Sequence, residues 1–155
     1  MTRSAFAYED GPGEGSQITL TPSPRRQQGQ DSTVFSNERP QWATDALRKL
    51  GALIDLKPGW DGHFGMPITH ASASYAFDIL RHVMQPGVPL PSITPLSYGG
   101  VQLEWHRKGW DVEIEVPGPG KIYVFTRDIR SEIETERELS ADFTALGGVI
   151  DKIKN

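Results

Sequence analysis

The chain has 155 residues, a length that fits one domain around one core. Its 37% apolar content, with 16 Gly and 12 Pro, supports a modest core plus irregular segments. The absence of cysteine excludes disulfides, thiolate chemistry and Cys-ligated metals, and a net charge of −4 with a pI near 5.5 weighs against free nucleic-acid binding.

Residues 1–38 read differently from the rest. They hold Gly11-Pro12-Gly13-Glu14-Gly15, Pro22-Ser23-Pro24-Arg25-Arg26 and Gln27-Gln28-Gly29-Gln30, with few side chains that can enter a core. An irregular or partner-bound tail is expected, because ordering entropy has little apolar burial to offset it. Within it, Ile18 and Leu20 alternate with Gln17, Thr19 and Thr21, so this stretch can add a strand to a sheet edge in cis or on a partner. The opening residues lack an apolar leader, and no apolar run is long enough to cross a bilayer. A cytoplasmic location without membrane association is expected.

The spacing predicts a helix from about Pro40 to Leu56, with Trp42, Ala46, Leu50 and Leu53 on one stripe and Ala43, Leu47 and Ile54 widening it. Lys57-Pro58-Gly59 ends it. The connector Gly59-Trp60-Asp61-Gly62-His63-Phe64-Gly65-Met66-Pro67 follows, and a second helix is expected over about 69–84, with Thr69 as N-cap. Pro89, Pro91 and Pro95 then imply an extended lead-in, at best an edge strand.

The strongest pattern comes next. Val101, Leu103 and Trp105 alternate with Gln102, Glu104 and His106; after a turn at 106–109, Trp110, Val112, Ile114 and Val116 alternate with Asp111, Glu113 and Glu115. Pro117-Gly118-Pro119-Gly120 reverses the chain again, and Ile122, Val124 and Thr126 alternate with Tyr123 and Phe125. Period-2 alternation broken by turns predicts a three-stranded meander with an apolar face and a polar face. Glu132 to Glu136 can form a short solvated fourth strand. A final helix is expected from about Ser140, on the stripe Phe143, Leu146, Val149, Ile150 and Ile153, although Gly147-Gly148 weakens it.

Two places can carry chemistry or binding. In the structural loop Gly59, Trp60, Asp61 and Gly62, the pair Asp61 and His63 can do acid–base work, but no nucleophile accompanies it. The expected role is structural, with Trp60 plugging the core between the helices and Asp61 bonding turn amides. On the meander, Gln102, Glu104, Glu113 and Glu115 should share one face with His106 at the end of the row, as a partner-binding surface together with Ile18 and Leu20 of the tail. The four histidines show no zinc spacing, and no phosphate-loop, dinucleotide or nucleophile-elbow motif occurs.

Gly59-Trp60-Asp61-Gly62, the Pro-started second helix and the run Pro91-Ser92-Ile93-Thr94-Pro95 leading into Gly99-Gly100-Val101-Gln102-Leu103-Glu104-Trp105 together resemble a group of short bacterial proteins. These carry a GWDG-type loop and a GGVQLEW-type strand, and the similarity spans roughly residues 45 to 126. The resemblance implies a domain type and no activity. Many members carry other residues in place of His63 and Phe64, which speaks against His63 as a shared catalytic group. Association with toxin–antitoxin or phage-defence systems is implied for proteins of this sort only by analogy.

The expected architecture is therefore α+β: a three- to four-stranded antiparallel meander covered on one face by two N-terminal helices and a C-terminal helix, in one domain over residues 39–155. The expected function is a non-enzymatic protein-interaction module, an antitoxin-like or accessory subunit with a protein partner and no cofactor or metal. The alternatives are a metal-dependent hydrolase using Glu104, Glu113 and Glu115, with His106, and a nucleic-acid-associated regulator using Arg25, Arg26, Arg107 and Lys108.

Overall fold

The computed structural model describes residues 39–155. Ile18, Leu20, Arg25 and Arg26, and with them the tail strand and the tail surface, lie outside the described residues.

The first helix, α1 (Gln41–Ile54), follows Pro40, whose extended backbone makes it the residue before the first turn. Ala43, Ala46 and Leu50 are its buried residues. The second, α2 (His70–Val83), starts as its sequence predicts: the Thr69 side chain accepts a hydrogen bond from the Ser72 backbone N–H at 3.0 Å. Ala73, Ala76, Ile79, Leu80 and Val83 are buried along it.

The sheet has five antiparallel strands in sequence order: β1 (Ser92–Pro95), β2 (Val101–Arg107), β3 (Trp110–Gly118), β4 (Lys121–Asp128) and β5 (Ile133–Leu139). The central three are the predicted meander. Both marginal segments, the Pro-rich lead-in and the charged run, add a further strand at opposite edges, so the count exceeds the expected three to four. Pro95 is tolerated because β1 is an edge strand of four residues. The β2–β3 hairpin closes through Lys108 and Gly109, both left-handed at φ 56° and 80°, and Arg107 pairs directly with Trp110. That two-residue turn sets the register of everything below it.

One core unites the layers. Val101, Leu103, Trp105, Val112, Ile114, Val116, Ile122 and Val124 point from the sheet into a cluster with Leu50, Ile79, Leu80 and Val83 of the helices. α1 lies against α2 and β1, while α2 lies against β2 and β3. The Trp105 indole N–H donates to the Pro89 carbonyl at 2.8 Å, so its polar atom is satisfied inside the core. Trp110, expected in the core, is only half-buried: it stands at the strand end, where the Lys152 ammonium lies 3.5 Å from its ring centroid.

The C-terminal helix also differs from expectation. The chain forms a 3₁₀ turn (Phe143–Leu146) running into a single α-turn, α3 (Gly147–Ile150). Asp142, two residues past the expected start at Ser140, caps it by accepting from the Thr144 N–H at 2.9 Å. Two consecutive glycines give poor helix propensity, so packing of Leu146, Ile150 and Ile153 shapes this segment more than local preference does.

Candidate functional site

Period-2 geometry sends every second residue of the strands to the face opposite the helices. The register then sorts them into rows. Glu104 lies directly opposite Glu113, and Glu113 opposite Phe125, which pairs with Glu136. Gln102 lies opposite Glu115, then Tyr123, then Glu138. His106, Asp111, Arg127 and Glu134 form the third row. All four sheet residues singled out from sequence, Gln102, Glu104, Glu113 and Glu115, are thus brought together. Asp111, Glu134, Glu136 and Glu138 join them, which makes seven carboxylates on one face with Glu104, Glu113 and Glu115.

The carboxylates surround two aromatic rings. Tyr123 and Phe125 are half-buried on β4, and with Glu113, Glu115 and Glu136 they line a shallow depression of about 210 Å³. In the sequence these two fall on the polar side of the meander, outside the residues expected to bind a partner. Their alternation with Ile122 and Val124 was the available signal.

Electrostatics differ across this face. Partial burial pushes the Glu113 carboxyl above its usual range, and repulsion from Glu104 across the strand pair adds to it. Gln102 partly relieves that carboxylate, its amide N–H donating to Glu113 Oε2 at 3.1 Å. At the end of the row, the hydrogen bond from His106 Nδ1 to Asp111 Oδ1 at 2.8 Å holds the imidazole pKa above its ordinary value, with the Glu104 carboxylate 3.7 Å from Nε2. Lys121 reaches Glu138 at 3.0 Å and lies over the Tyr123 ring, and Arg127 lies 3.4 Å from Glu134. These two cations sit on the β4–β5 side and His106 stands beside Glu104 at the end of the row, so Glu113 and Glu115 keep the less compensated negative charge.

A metal would need several of these groups to converge. Instead, Glu115 accepts a hydrogen bond from the Tyr98 hydroxyl at 2.9 Å, Asp111 is taken by His106, and Gln102 holds Glu113. Among the described residues no group of three or more His, Asp or Glu is gathered closely enough to hold a metal ion.

The Gly59–Pro67 loop is built around Asp61. Its Oδ1 accepts from the His63 and Gly65 backbone N–H groups, each at 2.9 Å, and these bonds hold its pKa below the ordinary carboxylate value. Asp61 thus bonds turn amides, as expected. Trp60 does not plug the core: it is half-buried, and its indole N–H donates to the Met66 carbonyl at 3.1 Å. Gly65 has no room for a side chain, since a Cβ there would stand 2.8 Å from both the Asp61 carboxyl and Trp60 Nε1.

This loop packs on the turn that leads into β2. The Met66 N–H donates to the Ser97 carbonyl at 2.7 Å. Gly100 is pressed against β3, where a Cβ would approach the Val116 carbonyl oxygen to 2.7 Å. The two glycine-bearing motifs noted in the sequence are therefore neighbours in space, and Tyr98 of the turn bonds Glu115. The structure turns Phe64 outward from this assembly, 95% exposed, beside Met66 at 56%. No sequence signal distinguished Phe64 from a core aromatic. Arg107 and Lys108 lie elsewhere, hydrogen-bonded to the Asn155 side chain and the Lys154 carbonyl. No protein-family model, curated protein or solved structure matches the chain.

Proposed function

We propose that this domain is a non-enzymatic protein-interaction module that binds a basic partner protein through the open face of its sheet, in the manner of an antitoxin-like or accessory subunit. One observation carries the reading: an ordered field of carboxylates surrounds two half-buried aromatic rings, Tyr123 and Phe125. Aromatic rings on a rigid strand offer contact area at low entropic cost, and the surrounding charge steers a basic surface onto them. Repulsion between Glu104 and Glu113 disfavours the free state, and a Lys or Arg from a partner relieves it. Kinship with the bacterial group carrying the GWDG-type loop belongs to the same proposal, as does a cytoplasmic setting.

The alternatives have less support. A hydrolase would need convergent ligands, and the carboxylates are individually engaged by Tyr98, His106 and Gln102. A nucleic-acid contact would oppose the net charge of −4.

Carbodiimide cross-linking in native cells tests the proposal, because it joins a carboxylate directly to a contacting lysine. The expected result is one stoichiometric partner linked through Glu113, Glu115 or Glu136, with the yield falling at high salt. Recovery of no stoichiometric protein, or links scattered over unrelated surfaces, would count decisively against it.

A further inference from the structure

The acidic face does not end at the sheet. Tyr98, 48% exposed, donates its hydroxyl to Glu115 at 2.9 Å and borders the loop that carries Phe64 and Met66. A Cβ on Gly99 would lie 3.1 Å from the Pro67 carbonyl and 3.6 Å from Met66 Cβ, so loop and turn touch along this line. Met66 is thereby joined to the acidic face through one short turn, its N–H on Ser97 and the neighbouring Tyr98 on Glu115.

Phe64 is the largest anomaly in the described residues. A phenylalanine that is 95% exposed forgoes about 2 kcal/mol of burial. It stands on a loop held by the two amide bonds to Asp61, the Trp60–Met66 bond, the Met66–Ser97 bond and a 2.8 Å bond from Gly59 N–H to the Gly65 carbonyl. Such a frame removes the conformational freedom that a loop tip would otherwise lose on binding. An aromatic presented on a rigid frame has the properties of an interface anchor.

We infer that Phe64, Met66 and Tyr98 form the apolar anchor of the same interface, and that its occupant is a basic amphipathic segment of a partner protein. Its apolar side chains contact Phe64 and Met66, and its Lys or Arg side chains lie over Glu115 and Glu113. Charge complementarity selects this occupant. The adjoining carboxylates repel a second copy of their own face and an anionic lipid surface, and they attract a cationic protein segment. The inference rests on the acidic-face reading above and adds the chemistry of the segment that reads it.

The test uses the full chain and two synthetic helical peptides, one with lysines on one face and leucines on the other, one with the leucines replaced by glutamines. Binding is followed by fluorescence anisotropy. Phe64→Ala should weaken the Lys/Leu peptide about tenfold and leave the Lys/Gln peptide unchanged, as expected for loss of one anchor. The double variant Glu113→Gln/Glu115→Gln should weaken both peptides. Phe64 touches no core, so an unchanged thermal midpoint in Phe64→Ala keeps the comparison free of folding effects. If Phe64→Ala binds the Lys/Leu peptide as wild type does while the Glu variant weakens it, the anchor is overturned and the acidic-face reading survives. If the Glu variant binds normally, the basic occupant and the face reading fall together. A wild-type dimer in sedimentation velocity that Phe64→Ala abolishes would assign the patch to a second copy and overturn the inference.

Discussion

On β3, Val112, Ile114 and Val116 are fully enclosed, while Asp111, Glu113 and Glu115, their neighbours in sequence, stay half-buried on the open side. The same strand thus answers to two different demands. The inner residues are chosen by volume, and their alternation with Leu103, Val124 and the helix side chains accounts for the fold. The outer residues break a rule that the inner ones obey. Glu104 faces Glu113 across the strand pair, and like charges in that position destabilise a sheet. Features that cost stability without serving packing are expected where a surface has another use.

The sharpest way to break this contrast is to truncate one residue on each face. Ile114→Ala removes a fully buried side chain at the centre of the sheet and should cost about 3 kcal/mol. Glu113→Ala, one residue away, should stay within about 0.5 kcal/mol of wild type. Urea denaturation measures both. Comparable losses at the two positions would mean that the open face is part of the folding core.

The inner face was legible in the sequence, because period 2 on β2 to β4 and period 3.6 on α1 and α2 are set by local geometry. Thr69 was legible as a cap for the same reason. The two outer strands were harder. β1 carries Pro95, and β5 is exposed on almost every residue, so neither shows a one-sided pattern; pairing with β2 and β4 makes them strands. The C-terminal stripe predicts a longer helix than the chain forms, because apolar spacing and a weakening Gly147-Gly148 pair do not set how far packing carries the helix. The carboxylate row could be read from alternation. The proposed anchor could not, since Tyr98 reaches Glu115 from a loop, and Phe64 stands outward on a loop that the bonds to Asp61 hold from outside any periodic element.

That frame permits a second comparison, between the rigid loop and the sheet it adjoins. Gly65→Ala would push a methyl group against the Asp61 carboxyl and Trp60 Nε1. Overpacking of this kind costs about 1–3 kcal/mol, and we expect about 2. Amide hydrogen exchange should quicken at His63 and Gly65 while β3 amides stay protected. Asp61→Ala should quicken the same amides, because it removes the acceptor common to both. Uniform acceleration across loop and sheet would show that the loop is no independent frame.

Smaller effects sharpen the electrostatic contrast on the outer face itself. Glu113→Gln removes the repulsion with Glu104 and leaves a side chain of nearly the same shape. Stability at neutral pH should rise by roughly 0.5 kcal/mol, a figure already reduced for solvent screening. Because the Glu113 pKa is raised in the folded chain, its ionisation opposes folding, and wild type should regain part of this difference as pH falls through that pKa. A variant less stable than wild type at neutral pH would mean that Glu113 is held by favourable contacts and that the face is not under charge strain.

His106 gives the smallest effect and the opposite slope. Its folded pKa lies above the ordinary value of 6.5, chiefly through the hydrogen bond to Asp111, with Glu104 adding to it against a partial burial that opposes the charge. A group whose pKa rises on folding stabilises the fold while it is protonated in both states. Its contribution is therefore fully present below about pH 6.5 and is lost as pH climbs through the raised folded value. The ring is largely exposed, so the effect should be only a few tenths of a kcal/mol after screening. Denaturation midpoints of wild type and His106→Gln should separate below pH 6.5 and converge above the folded pKa. A difference that instead grows with pH would mean that the neutral imidazole is the stabilising form, and that the Asp111 and Glu104 carboxylates do not govern that end of the row.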